Sequence, residues 1–187
     1  MKRFFLVITI LTAAAALPPL LPNLPAEGTW SLSTGLNFTP ALVYNRSWDP
    51  GYSGSALTMT LTHQSGTLLL GAGAEAGYSY TGINLLFLLQ AGLILAEDDK
   101  LQFSAAAALM PGLILSRPSP FFLFAAELTA RLKWKISPVF SLSLITGPRY
   151  TWSPDYSAKV APLESIDLSI GLIAGFVLGS SQPGVID

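Results

Sequence analysis

Between Ala126 and Lys135 the chain changes character at every step. Ala126, Leu128, Ala130, Leu132 and Trp134 fall on one parity, and Glu127, Thr129, Arg131, Lys133 and Lys135 on the other. Successive side chains of a pleated strand leave on opposite faces, so period two predicts a strand. A helix turns each residue by roughly 100° and would scatter these charges around its circumference. The segment 121–135 therefore has a greasy face and a charged face. Either the greasy face meets a soluble core, or it meets lipid while the charges point into a barrel.

Composition separates the two. Charged residues make up 11% of the 187 residues and hydrophobic ones 51%, against about 25% charged in soluble domains. Much of the outer surface need not face water. A net charge of −1 and sparse Lys and Arg give no surface for nucleic acid. No cysteine is present, which excludes disulfides, thiolate nucleophiles and zinc–thiolate sites.

The alternation recurs along the chain. Strands are expected over 29–44, 55–62, 67–80, 83–96, 101–115, 121–135, 139–152 and 166–179. The run FSAAAALM within 101–115 also has helical propensity, and HQSG at 63–66 reads as a turn. Most stretches exceed the usual soluble strand of about 5–6 residues and reach the roughly 9–11 that cross a bilayer. An apolar run of about 20 residues, needed for a spanning helix, is absent beyond the N-terminus. The expected fold is all-β, an eight-stranded antiparallel up-and-down transmembrane β-barrel.

Residues 1–26 read as a signal peptide with a proline-rich leader. Lys2 and Arg3 precede the apolar run from Phe4 to Leu17, and Ala14-Ala15-Ala16 offers a cleavage site. The barrel is expected over 27–179 and a disordered tail over 180–187. Export puts odd-numbered connections outside, where barrels carry their longer loops.

Polar-tipped aromatics lie on the apolar parity at strand ends: Trp30 and Trp134 at the inner ends, Tyr44, Tyr78, Tyr80, Tyr150 and Trp152 at the outer ends. Belts at both interfaces mark membrane barrels. Every mid-strand charge falls on the opposite parity: Glu75, Glu127, Arg131, Lys133, Arg149 and Asp167. Charges withdrawn from bulk water persist when paired or hydrated. Three acids against three bases predict a salt-bridged lumen, with Arg149 and Asp167 placed to pair on neighbouring strands. Apolar residues share the inward parity: Leu69, Leu86, Leu88, Ile94, Met110, Leu123, Ile145 and Ile173.

In strand count and patterning the chain resembles the small eight-stranded outer-membrane barrels, namely the OmpA transmembrane domain, OmpX and OmpW. The resemblance covers the whole mature chain but has no diagnostic motif. It implies an outer-membrane protein, structural or a narrow pore for small molecules, hydrophobic ones included, since OmpW-like barrels are thought to pass such molecules. The chain departs from many of these barrels at its end, where Phe176 is the last aromatic and Asp187 the final residue. An adhesin working through the loops at 45–54 and 153–165, with Trp48, Tyr52 and Tyr156 as contacts, is the alternative. His63-Gln64-Ser65 also resembles the H-x-S of lipid A deacylase barrels. That resemblance implies His63 as base and Ser65 as nucleophile, with a downstream Glu orienting the ring. Gly66 replaces that family's Asn, however, and Glu75 has the opposite parity to His63. The expectation is a monomeric non-enzyme with no metal or cofactor, in contact with outer-membrane lipid and with small hydrophobic solutes or a surface ligand.

Overall fold

The computed structural model describes residues 28–44, 53–79, 82–115, 120–153 and 163–181. The signal-peptide reading, most of the tail, Tyr80 and the loop residues Trp48, Tyr52 and Tyr156 lie outside them. Eight strands follow in chain order: β1 Gly28–Tyr44, β2 Ser53–Ser65, β3 Leu68–Ser79, β4 Gly82–Glu97, β5 Leu101–Leu115, β6 Phe121–Lys135, β7 Phe140–Ser153 and β8 Leu163–Ser181. Each pairs antiparallel with its neighbour, and β8 pairs with β1 to close the ring. Closure leaves no sheet edge, a necessity where no water can hydrogen-bond it.

Alternation sets which face is which. Along β7 the inward Ser141, Ser143, Ile145, Gly147 and Arg149 are buried, while Leu144, Thr146, Pro148 and Tyr150 are exposed. The outer surface is correspondingly apolar: Leu36, Leu57, Leu89, Leu109, Leu128, Leu144 and Leu172 all stand exposed. In water such a surface would aggregate; in hydrocarbon it is the stable arrangement. All eight inward apolar residues expected from parity are buried. Aromatics flank the belt, with Trp134 exposed at one end and Tyr78, Tyr150 and Trp152 at the other. Tyr44 lies in β1, and its side chain is outside the described set.

Three short connections lie at one end. Residues 66–67, 98–100 and 136–139 join β2 to β3, β4 to β5 and β6 to β7. The opposite end carries 45–52, 80–81, 116–120 and 154–162. We call these the turn end and the loop end; in outer-membrane barrels they face the periplasm and the outside respectively.

Several strand boundaries differ from expectation, the ends of β2 and β8 among them, while β5 runs over 101–115 as expected. β2 continues through His63 to Ser65, because Gly66, at φ 57°, and Thr67 make the reversal in two residues. Ser180 and Ser181 pair with Thr29 and Gly28, so β8 outlasts the expected barrel end by two residues. The alanine-rich stretch is strand, since pairing on both sides overrides its helical propensity.

Two prolines interrupt the wall. Pro111 lacks an N–H, and β4–β5 partners jump from Leu86↔Gly112 to Leu89↔Leu109. Beside Pro148, β6–β7 partners jump from Glu127↔Arg149 to Ala130↔Thr146.

Candidate functional site: the lumen

Inside an eight-stranded barrel the bore is narrow enough for side chains to fill. Arg149 uses that narrowness. From β7 its Nη1 and Nη2 donate to Glu75 Oε1 and Oε2, each at 2.8 Å, a bidentate pair. Its Nε donates to Glu127 Oε2 at 2.8 Å. β3 and β7 stand four positions apart in the ring of eight, so this pairing crosses the bore between opposite walls. All three side chains are buried. Asn37 on β1 extends the cluster, donating from Nδ2 to Thr58 Oγ1 at 3.0 Å and to Glu75 Oε2 at 3.4 Å. Gly171 keeps room for Asn37, because a side chain there would collide with its Oδ1.

The expected Arg149–Asp167 ion pair does not form. The two are cross-strand partners, yet Asp167 accepts hydrogen bonds from Thr151 and Ser165, both at 3.2 Å. A guanidinium offers several donors in a fixed fork. Arg149 instead takes Glu127, its partner in register on β6, and reaches across the bore to Glu75. Arg131, the other deep cation, reaches from β6 to Ser33 Oγ on β1 at 3.5 Å, and its Nε has no acceptor among the described residues. Lys133 follows it on the inner face of β6 toward the turn end. Lys135 at the mouth binds Glu97 at 2.8 Å.

The lining is split lengthwise. Leu86, Leu88, Ala108, Met110, Ile114, Leu123 and Ala125 form one apolar cluster on β4, β5 and β6. Met110 meets the charges directly, with its Sδ 3.4 Å from Arg149 Nη2. Polar groups dominate opposite, including Thr58, Thr60 and Thr62 down β2. Two glutamines add cross-links: Gln90 donates to Thr62 Oγ1 and Gln102 to Gln64 Oε1, both at 3.3 Å.

Three spaces adjoin this interior. A cavity of about 50 Å³ lies between Arg149, Glu127, Arg131 and Thr60. A larger one of about 450 Å³ opens at the turn end. The third, about 260 Å³, is an apolar cleft in the wall at the Pro111 interruption. It is bounded by Leu57, Leu85, Phe87 and Leu113 on the lipid side, and reaches Leu86 and Glu75.

His63 sits on the outward parity, as expected. It is buried, with its ring packed against cross-strand Trp30 at a centroid distance of 4.6 Å and a tilt of 49° and crowded against Gly28. Glu75 lies on the inner wall, bonded to Arg149, so the structure does not bring His63 and Glu75 together. Among the described residues no group of three or more His, Asp or Glu could hold a metal. Sequence reasoning missed the cross-bore pairing of Arg149 with Glu75 and the wall cleft. Pro111, a strand-interior proline, was the available signal for the cleft.

No protein-family model matches the chain, and no curated protein matches it. Among solved structures, the chain is similar to Neisserial surface protein A at 12% identity, covering 80% of this chain and 96% of that one, TM-score 0.47. It is similar to the outer membrane protein AlkL, solved in DMPC bilayers, at 11% identity, covering 87% and 98%, TM-score 0.44. A de novo designed transmembrane β-barrel matches at 11% identity, covering 81% and 97%, TM-score 0.46. The architecture is that of the small eight-stranded outer-membrane barrels. With a hydrocarbon-facing belt around a charged bore and short turns at one end, its place is the outer membrane.

Proposed function

We propose that the protein is a plugged outer-membrane barrel, closed to bulk water and ions at rest, which admits small apolar molecules at its wall. One observation carries the plug: Arg149 joins β7 to Glu75 on the opposite wall and to Glu127 on β6. Breaking such a buried, fully bonded set costs several kcal/mol, so the closed state dominates. The cleft beside Pro111 supports apolar entry, since it opens among Leu57, Phe87 and Leu113 toward hydrocarbon and the lumen strip behind it is also apolar.

Planar-bilayer conductance of the refolded protein tests the plug. The expected wild-type trace is silent, and Arg149→Ala opens discrete current; steady current through the wild type overturns the plug. Uptake of a small alkyl probe into proteoliposomes tests the cleft. The expectation is that Leu113→Trp, which crowds the opening, returns uptake to the protein-free rate. Uptake unaffected by that change counts against wall entry.

The same reading gives His63 a packing role and no catalysis. Its support is the tilted ring contact with Trp30 and the location of Glu75 within the bore. An acyl pattern of lipid A that changes between wild type and His63→Ala would reverse that assignment.

A further inference from the structure

The geometry points to a binding site for a small soluble oxyanion inside the turn-end mouth, held between Lys133 and Arg131. This does not rest on the proposed plug or cleft. The two cations occupy successive inward positions of β6. Two of the carboxylates near them are spoken for: Glu97 is bound to Lys135, and Glu127 to Arg149. Asp99, exposed in the β4–β5 turn, also lines the cavity. Lys133 has no carboxylate within ion-pair distance among the described residues, and Arg131 has only the long bond to Ser33.

Two buried polar atoms point the same way. Arg131 Nε has no acceptor, and Ser143 Oγ has no partner among the described residues. Ser143 is the cross-strand neighbour of Lys133, so an N–H and an O–H donor stand ready beside the two positive charges. A buried donor without an acceptor is costly, and two half-buried cations without a carboxylate partner add to that cost. An oxyanion answers both needs: its charge offsets the cations and its oxygens accept from the guanidinium, the ammonium and the hydroxyl.

Space and access fit the ligand class. The turn-end cavity, about 450 Å³, has Lys133, Gln64 and Gln102 in its wall together with Glu97, Asp99 and Lys135, while Arg131 lines the cavity of about 50 Å³ deeper in the bore. A water occupies about 30 Å³ in the liquid, so phosphate, sulfate or a short carboxylate fits with part of its hydration shell. Entry comes from the aqueous mouth, not from the lipid face, which favours a soluble anion over a lipid headgroup.

The test titrates inorganic phosphate, at constant ionic strength, into the folded full-length protein in zwitterionic detergent. The readout is the side-chain Nε–H resonances of its arginines. The expected result is a saturable shift of the Arg131 signal with Arg149 unmoved. Lys133→Gln then weakens the apparent affinity by roughly fivefold, and Lys100→Gln, in an exposed turn, leaves it unchanged. No saturable shift, or equal affinity in the Lys133→Gln protein, overturns the site. The rival account balances Arg131 against the surplus carboxylate of the Glu75–Arg149–Glu127 cluster. It is supported, and the site overturned, if Glu127→Gln moves the Arg131 resonance while phosphate does not.

Discussion

At the scale of single residues, the lumen charges are not interchangeable. Arg149 satisfies two carboxylates, so its removal strands both in a buried setting. Arg149→Ala is expected to cost about 3–5 kcal/mol, read as a lowered urea midpoint for loss of the compact gel band. Arg149→Lys should recover only part of this, because an ammonium cannot hold Glu75 in bidentate fashion. Gly171→Ala is expected to destabilise through a different route. Its methyl group drives into Asn37 Oδ1 and loosens the Asn37–Thr58–Glu75 contacts. The paired variant Gly171→Ala with Asn37→Ala should regain stability, a coupling that a double-mutant cycle measures.

Strands and turns carry their own predictions. The β4–β5 turn is closed by Asp98, whose Oδ1 accepts from the Lys100 N–H at 2.7 Å and the Leu101 N–H at 2.6 Å. The Leu101 and then the Lys100 hydrogen bonds hold the Asp98 carboxyl below its ordinary value of 3.8. With the folded value lowered, the turn's stabilisation is complete above the ordinary value and is lost as pH falls through the depressed one. Amide exchange at Leu101 should therefore accelerate on acidification relative to the intrinsic rate, and Asp98→Ala should abolish that dependence. At the β2–β3 turn, Gly66→Ala places a side chain at φ 57° and is expected to cost about 1 kcal/mol.

Strand positions and facing were legible because parity is written residue by residue. Glu127 against Leu128 needs no partner to declare its side. What escaped the sequence was contact across the bore. Asp167 is Arg149's neighbour in register, and neighbours are what a strand list suggests. Glu127 is the neighbour in register on the other side, but the choice of Glu75 depends on the shear of the closed ring and on the reach of a guanidinium. Neither is a property of any one strand. The free ends of Arg131 and Ser143 escaped for the same reason, since an unpartnered group is defined by everything around it.

For the molecule as a whole, the exposed leucine belt implies a sharp asymmetry between faces. Leu128→Arg points a charge at hydrocarbon and is expected to cost roughly 2–4 kcal/mol near the midplane. Thr129→Arg points into the bore, where its cost depends on lumen crowding instead. Folding yields into bilayers for the two variants, compared with those in detergent, check this.

Ring closure has a further consequence. Seven of the eight interfaces join strands adjacent in the chain, and the eighth joins β1 to β8. Hairpins can zip locally, but the final seam must wait for the last segment to be synthesised and delivered. Until then any inserted intermediate offers two raw flanks of amide groups to an oily phase that cannot wet them. Assembly of this protein should therefore be concerted at its last step, and a chain stopped short of Leu163 should stay outside the bilayer altogether.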